Sequence, residues 1–318
     1  RAPVTQKFDC DTVRSTLFAS RYAGRMGRIR LFLVFVLVSL FAPRAEPTQV
    51  ANQAVVLTPR EVVAGSPELI SVRAAADSVD GEWLGRKIQF FQSSDHRSWL
   101  ALAGADVETP AGPSRISITL HTPDRGNVDI SETIDIRPAH YRTGTLTVAP
   151  QFVQPPPEAL KEIEEEGKLK AKVFAASASD PLWRSSFHAP VPAQATDSFG
   201  TRRMFNGKLA SIHKGADFHA ATGTPVHASN SGVVVLARHL YFEGNCVIID
   251  HGLGLYTLSM HFSRIDVQEG QHVNAGDRLG LSGATGRVTG PHLHWAVRWQ
   301  GAYLDPVKLL KLDLNSVR

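Results

Sequence analysis

Two short clusters in the last third of the chain have the residue types and spacing to hold a metal ion. His213-Lys-Gly-Ala-Asp217 sets an imidazole and a carboxylate four residues apart, and His292-Leu-His294 sets two imidazoles two residues apart. On a strand, residues two apart point to the same face, so both members of the second pair can converge on one ion. Gly215 inside the first cluster, and the Phe218-His-Ala that follows it, predict a loop entering a strand rather than a helix face. Nine of the thirteen histidines lie at or after His213, which concentrates this chemistry in one part of the chain. Two histidines and an acid fill three positions of a tetrahedral zinc and leave the fourth open for water, as a catalytic site requires and a structural site does not.

The surrounding residues extend the pattern. Gly223-Thr-Pro-Val226, Met260-His-Phe-Ser263, Gly283-Ala-Thr-Gly286 and Gly290-Pro-His-Leu-His-Trp295 occur in that order. With them, the segment from about Phe199 to Leu310 resembles the lysostaphin/LytM-type zinc metallopeptidases, endopeptidases of peptidoglycan cross-links or bridges. The resemblance implies a Zn2+ cofactor held by His213, Asp217 and His294, with His261 and His292 as catalytic histidines that do not bind the metal. Such chemistry is coherent: a peptide carbonyl must be polarised and a water made nucleophilic near neutral pH, which zinc can do, and a histidine can move the proton. The implied partners are stem or bridge peptides of peptidoglycan. Oligoglycine bridges and D-alanyl to diamino-acid cross-links demand different grooves, and the sequence leaves the bond open. Relatives often carry Tyr two residues before the position of His261, where this chain has Ser259, which puts one substrate-wall contact in doubt. His219 is a candidate for the rim of the site, whereas His227, His239, His251 and His272 are expected bystanders.

Two other classes compete. Some relatives have lost their metal ligands and activate other wall hydrolases, but no ligand position is missing here. Val267 to Gly280 also reads like the turn-and-strand repeat of biotinyl or lipoyl carriers. A carrier needs an attachment lysine, and none occurs between Lys214 and Lys308, so that likeness is one of fold.

The elements that must position these residues are mainly β. From 48 to 150, short runs such as Leu69-Ile-Ser-Val-Arg73, Ser114 to His121 and Val128 to Ile136 alternate apolar with polar, and Gly, Pro and Asp punctuate them. This predicts an accessory β-sandwich-like domain with no catalytic constellation of its own. Residues 151–193 predict a helical connector, with prolines at its start, acids early and lysines late, in keeping with the helix dipole. Gly167 is expected to interrupt that helix, and its charge run to be a solvated face. Residues 194–312 form the expected metallopeptidase domain, a LytM-like β domain of duplicated hybrid type. The accessory domain is expected either to limit access to the groove or to dock the enzyme on the wall.

The formal net charge of +4 does not signal nucleic-acid binding, because the excess lies in the leader. Residues 1–47 hold eight of the 34 basic and three of the 30 acidic residues, leaving 26 against 27 in the body. Arg25, Arg28 and Arg30 precede the apolar run Leu31 to Ala42, so 26–47 reads as a signal peptide and the protein as exported, to the periplasm or outside the cell. A helix of twelve residues rises only about 18 Å against a hydrocarbon core of roughly 30 Å, so no stable membrane span is expected after processing. Residues 1–25 lie before Met26 and are expected to be a non-native extension. Of Cys10 and Cys246, only the second would remain in a mature chain, which leaves no intramolecular disulfide.

Overall fold

Alternation of apolar and polar side chains dictates how the first part of the chain folds. Along the strand Gly112–Thr122, Ile116, Ile118 and Leu120 are buried while Arg115 and Ser117 are exposed, the mark of a sheet with one face on a core. The computed structural model describes residues 55–145, 149–196, 199–205 and 208–314. The expected extension at 1–25 and signal peptide at 26–47 lie outside the described residues. Among the described residues no helix is long and apolar enough to cross a membrane.

Two sheets precede residue 140. One runs Val55–Thr58, Pro67–Val72, Trp99–Gly104, Phe91–Gln92, all antiparallel. The other runs Val62–Val63, Gly126–Arg137, Gly112–Thr122, Ser78–Trp83, Arg86–Gln89. Trp99–Gly104 is buried at every residue, because its sheet is covered on both sides. Gly104 illustrates the second cover: a Cβ there would come within 2.6 Å of the Leu304 side chain.

The largest sheet, of ten strands, carries the site. Its main path is Ala195–Thr196, Ala216–Phe218, Leu293–Trp299, Leu255–Ile265, Gly244–Asp250, Gly232–Leu240 and His272–Val273. Alternation splits its two faces between different partners. Leu293, Trp295, Val297 and Trp299 join the same buried cluster as Ile70, Ala101, Trp83 and Ile118 of the first two sheets. Trp183, Phe187 and Val191, from the segment expected to be a connector, are buried there too.

The opposite face carries Tyr256, Leu258 and Ala296, which form a second cluster with Leu236, Leu240, Cys246 and Ile248. The helix Pro157–Phe174 lies over it, with Leu169, Val173 and Phe174 packed against it and the Arg298 guanidinium 3.9 Å from the centre of the Phe174 ring. The helix has Pro157 in its first turn, Glu158 early and Lys172 late. It runs unbroken through Gly167, so the interruption expected there does not occur. A lone glycine costs only about 1 kcal/mol relative to alanine, and the packing of the apolar stripe outweighs it. The charged face is solvated, with Glu164 and Lys168 paired at 2.6 Å. The helix thus covers the Tyr256/Arg298 end of this face and leaves the Met260/His294 end open.

Candidate metal centre

Strand register brings the first two candidate ligands together. Asp217 in Ala216–Phe218 pairs directly with His294 in Leu293–Trp299, and Met260 flanks His294 on its other side, so these side chains share a face. His213 arrives from the loop before the strand. That loop can approach only because residue 215 is glycine: a Cβ there would lie 2.5 Å from His294 Nε2 and 2.7 Å from the Trp295 carbonyl oxygen.

Three ligand atoms meet at this point. His213 Nε2 lies 2.8 Å from His294 Nδ1, His294 Nδ1 lies 2.9 Å from Asp217 Oδ1, and His213 Nε2 lies 3.1 Å from Asp217 Oδ1. Two imidazole nitrogens and one carboxylate oxygen, all within 4.8 Å of one another, form the one group among the described residues that could hold a metal ion. The donor set suits zinc, which accepts nitrogen and carboxylate oxygen together. Burial disfavours the charged form of Asp217, but hydrogen bonds from His213 and His294 outweigh it and hold its carboxyl well below the usual carboxylate range. Burial brings His213 down to about 4, so at neutral pH the ring is uncharged, as a ligand must be.

His261 and His292 stand beside this group. Their ring centres are 5.0 Å apart, and that of His261 is 6.0 Å from that of His294. Each ring is oriented by a carbonyl, His261 Nδ1 lying 2.8 Å from Thr285 O and His292 Nδ1 2.8 Å from Gly290 O. A carbonyl can only accept, so in both rings Nδ1 carries the proton and Nε2 of the neutral ring is a free base. The Nε2 of His292 lies 3.7 Å from Asp217 Oδ1. Burial, and then the neighbouring His294 and His292, push His261 down to about 3. Its backbone is in the left-handed region, with φ of 67°. The strand Leu255–Ile265 pairs with Leu293–Trp299 as far as Met260 and with Arg278–Ser282 from Phe262, so the residue between must turn. Such a conformation costs on the order of 1–3 kcal/mol and is maintained only where surrounding structure dictates it. Here the backbone N–H of His261 donates to Glu243 O at 3.0 Å.

A groove of about 440 Å³ opens over His213, His261 and His294. Its walls include Arg203, Lys214, Phe242, Glu243, Arg287 and Tyr303, and one residue of the first sheets' loops, Glu108, which pairs with Lys214 at 3.2 Å. None of these wall residues is prominent in the sequence, although Arg287 falls between two of the quoted glycine motifs. The other histidines stay apart. His219 is exposed and does not line the groove. His251 is fully buried between Ser231 O at 2.7 Å and Thr257 Oγ1 at 2.8 Å. Ser259 is buried and faces away from the groove, which Met260 lines instead.

Residues 211–306 match the model of peptidase family M23. The match covers less than a third of the chain, so what it shows is a segment similar to that family. The chain is 41% identical over 138 residues to the peptidoglycan DD-endopeptidase ShyA of Vibrio cholerae, covering 42% of this chain and 31% of that protein. It is 42% identical over 98 residues to the DD-carboxypeptidase/endopeptidase Mpg of Neisseria meningitidis, covering 31% of this chain and 23% of Mpg. The chain thus spans less than a third of the length of these curated relatives. A crystal structure of a candidate M23 peptidase from Pseudomonas aeruginosa, 27% identical, superposes with a TM-score of 0.61 over 79% of this chain and 95% of that one, so the likeness extends beyond the M23 segment to the sheets before it.

Proposed function

We propose that this protein is an exported, zinc-dependent endopeptidase that hydrolyses peptide cross-links in bacterial peptidoglycan. The observation that carries the reading is the convergence of His213 Nε2, Asp217 Oδ1 and His294 Nδ1 at one point, beside an open groove that His213 and His294 line. These three residues would hold the zinc. When bound, zinc supplies a Lewis acid that polarises the scissile carbonyl and favours ionisation of the attacking water. His261 Nε2, bare because Nδ1 is committed to Thr285, takes the proton of that water and passes it on to the departing amine. His292, oriented by Gly290 O, stands beside the ligand group and is the second histidine placed to act on the water and the transition state. The left-handed backbone at His261 fixes the direction of its ring.

The chain's parts are assigned accordingly, with 48–150 as a β-sandwich-like accessory module, 151–193 as connector and 194–312 as the peptidase domain. The names of ShyA and Mpg support peptidoglycan as substrate, and the intact set of site histidines argues against a role limited to activating other hydrolases. The test is digestion of purified peptidoglycan with and without a chelator, followed by identification of the released muropeptides. The expected outcome is chelator-sensitive loss of cross-linked dimers, and unaltered muropeptides in both samples would contradict it.

A further inference from the structure

The groove wall holds more positive charge than its own acids neutralise. Of the acids lining it, Glu108 is paired with Lys214 and Glu243 with Lys170 of the helix. Arg203 leans on Asp217 at 3.4 Å, a carboxylate already shared with two histidines. Arg287 has no carboxylate within ion-pair distance among the described residues; its guanidinium lies 4.8 Å from the centre of the Phe242 ring. Burial lowers the pKa of both arginines; Asp217 partly offsets this for Arg203 and Glu243 for Arg287, and Arg287 in turn disfavours the charge on Arg203. Two half-buried like charges facing one groove, with one ion pair at 3.4 Å between them and carboxylates that only partly offset their burial, are costly in the free protein. An anion from outside would relieve both terms, and a planar guanidinium fixed against an aromatic ring is preorganised to take a carboxylate through two parallel N–H donors.

We propose that Arg203 and Arg287 form a subsite for a free carboxylate carried by the substrate peptide beside the scissile amide. The proposal rests on the endopeptidase reading of the same groove. It selects cross-links in which the residue that contributes the amine also bears a carboxylate, and disfavours oligoglycine bridges, which carry none. Lys214 is held by Glu108 and by the Tyr303 ring, 5.1 Å from its centre, and Arg203 shares Asp217, so Arg287 is the principal wall cation for this role and Arg203 its second.

The test uses the zinc-loaded full chain and two soluble cross-linked peptide dimers that differ only in that carboxylate, free in one and amidated in the other. Binding is measured by calorimetry on versions whose scissile amide is N-methylated, and cleavage on the ordinary versions. Charge-assisted hydrogen bonds predict that the free acid binds about 10- to 100-fold more tightly than the amide. Arg287→Gln should bring that ratio close to one. Arg287→Lys, which keeps the charge but loses the fork and the stacked plane, should fall between. Equal binding of both dimers by the unmodified protein, or an unchanged ratio in either variant, would overturn the subsite. If the unmodified protein prefers the acid in binding yet cuts neither dimer, the subsite stands and the endopeptidase reading fails.

Discussion

Gly215→Ala tests how finely the three ligand atoms are set. The new Cβ would meet His294 Nε2 at 2.5 Å, His294 Cε1 at 2.6 Å and the carbonyl oxygen of the next residue, Trp295, at 2.7 Å. Ordinary Cβ contacts begin at 3.4 Å, so the imidazole or the strand behind it must retreat by about 1 Å. Trp295 is held in the sheet between Ala216 and Ser259, so the mobile partner is the His294 ring. Its Nδ1 now lies 2.8 Å from His213 Nε2 and 2.9 Å from Asp217 Oδ1. A shift of about 1 Å in a catalytic group can cost on the order of 10²-fold in rate. We therefore expect Gly215→Ala to weaken zinc retention and to lower muropeptide turnover by about that factor, with little change in circular dichroism. The assays are metal content after dialysis against graded chelator and initial rates on soluble cross-linked dimers. Unchanged zinc affinity and rate would show that the site tolerates an ångström of displacement, and the steric reasoning would fail.

Further expectations concern stability and access. His251 is fully buried and lies at about 4 in the folded chain against 6.5 unfolded, so its contribution is complete above 6.5 and is lost as pH falls toward 4. The linkage amounts to about 2 kcal/mol between about pH 7.5 and about pH 5. Denaturant unfolding should show His251→Gln to be less pH-sensitive than the unmodified chain by that order, and identical pH slopes would count against the burial argument. If the loop bearing Glu108 limits access to the groove, Glu108→Ala should raise kcat/KM on soluble dimers, while equal rates with a deficit on intact sacculi would favour docking.

Excising the peptidase domain would be a poorer test of access. Trp183, Val297 and Trp299 share one buried cluster with Ile70, Ala101 and Ile118, so a fragment starting near Pro190 would expose that surface and lose stability for reasons unrelated to the groove.

What the sequence discloses follows from how local each signal is. His213, Asp217, His292 and His294 announce themselves by type and spacing, and the structure draws His213, Asp217 and His294 to one point. The strands Gly112–Thr122 and Gly126–Arg137 are legible because one face is solvated and the alternation survives. Trp99–Gly104 is not, since a strand covered on both faces reads as a continuous apolar run that could equally be a helix segment. The helix Pro157–Phe174 is legible as a helix from its prolines and charge order, but not as a cover for the sheet. Its contacts through Phe174 and Lys170 are made with residues some 70 to 120 positions away. Arg203 and Arg287 are silent for the same reason: an arginine acquires meaning only from the groups the fold brings beside it, here Asp217 for Arg203 and the Phe242 ring for Arg287.

The central claim is the division of the five site residues into three that hold metal and two that act on the water and the transition state without binding the metal. Zinc content and turnover measured side by side on four single variants test it most directly. Asp217→Ala and His294→Ala should lose both zinc and activity, because each removes one of three bonds to the ion. His261→Ala and His292→Ala should retain about one zinc per chain while turnover falls by roughly 10² to 10⁴-fold. Stoichiometric zinc in the first pair, or its loss from the second, would contradict the account.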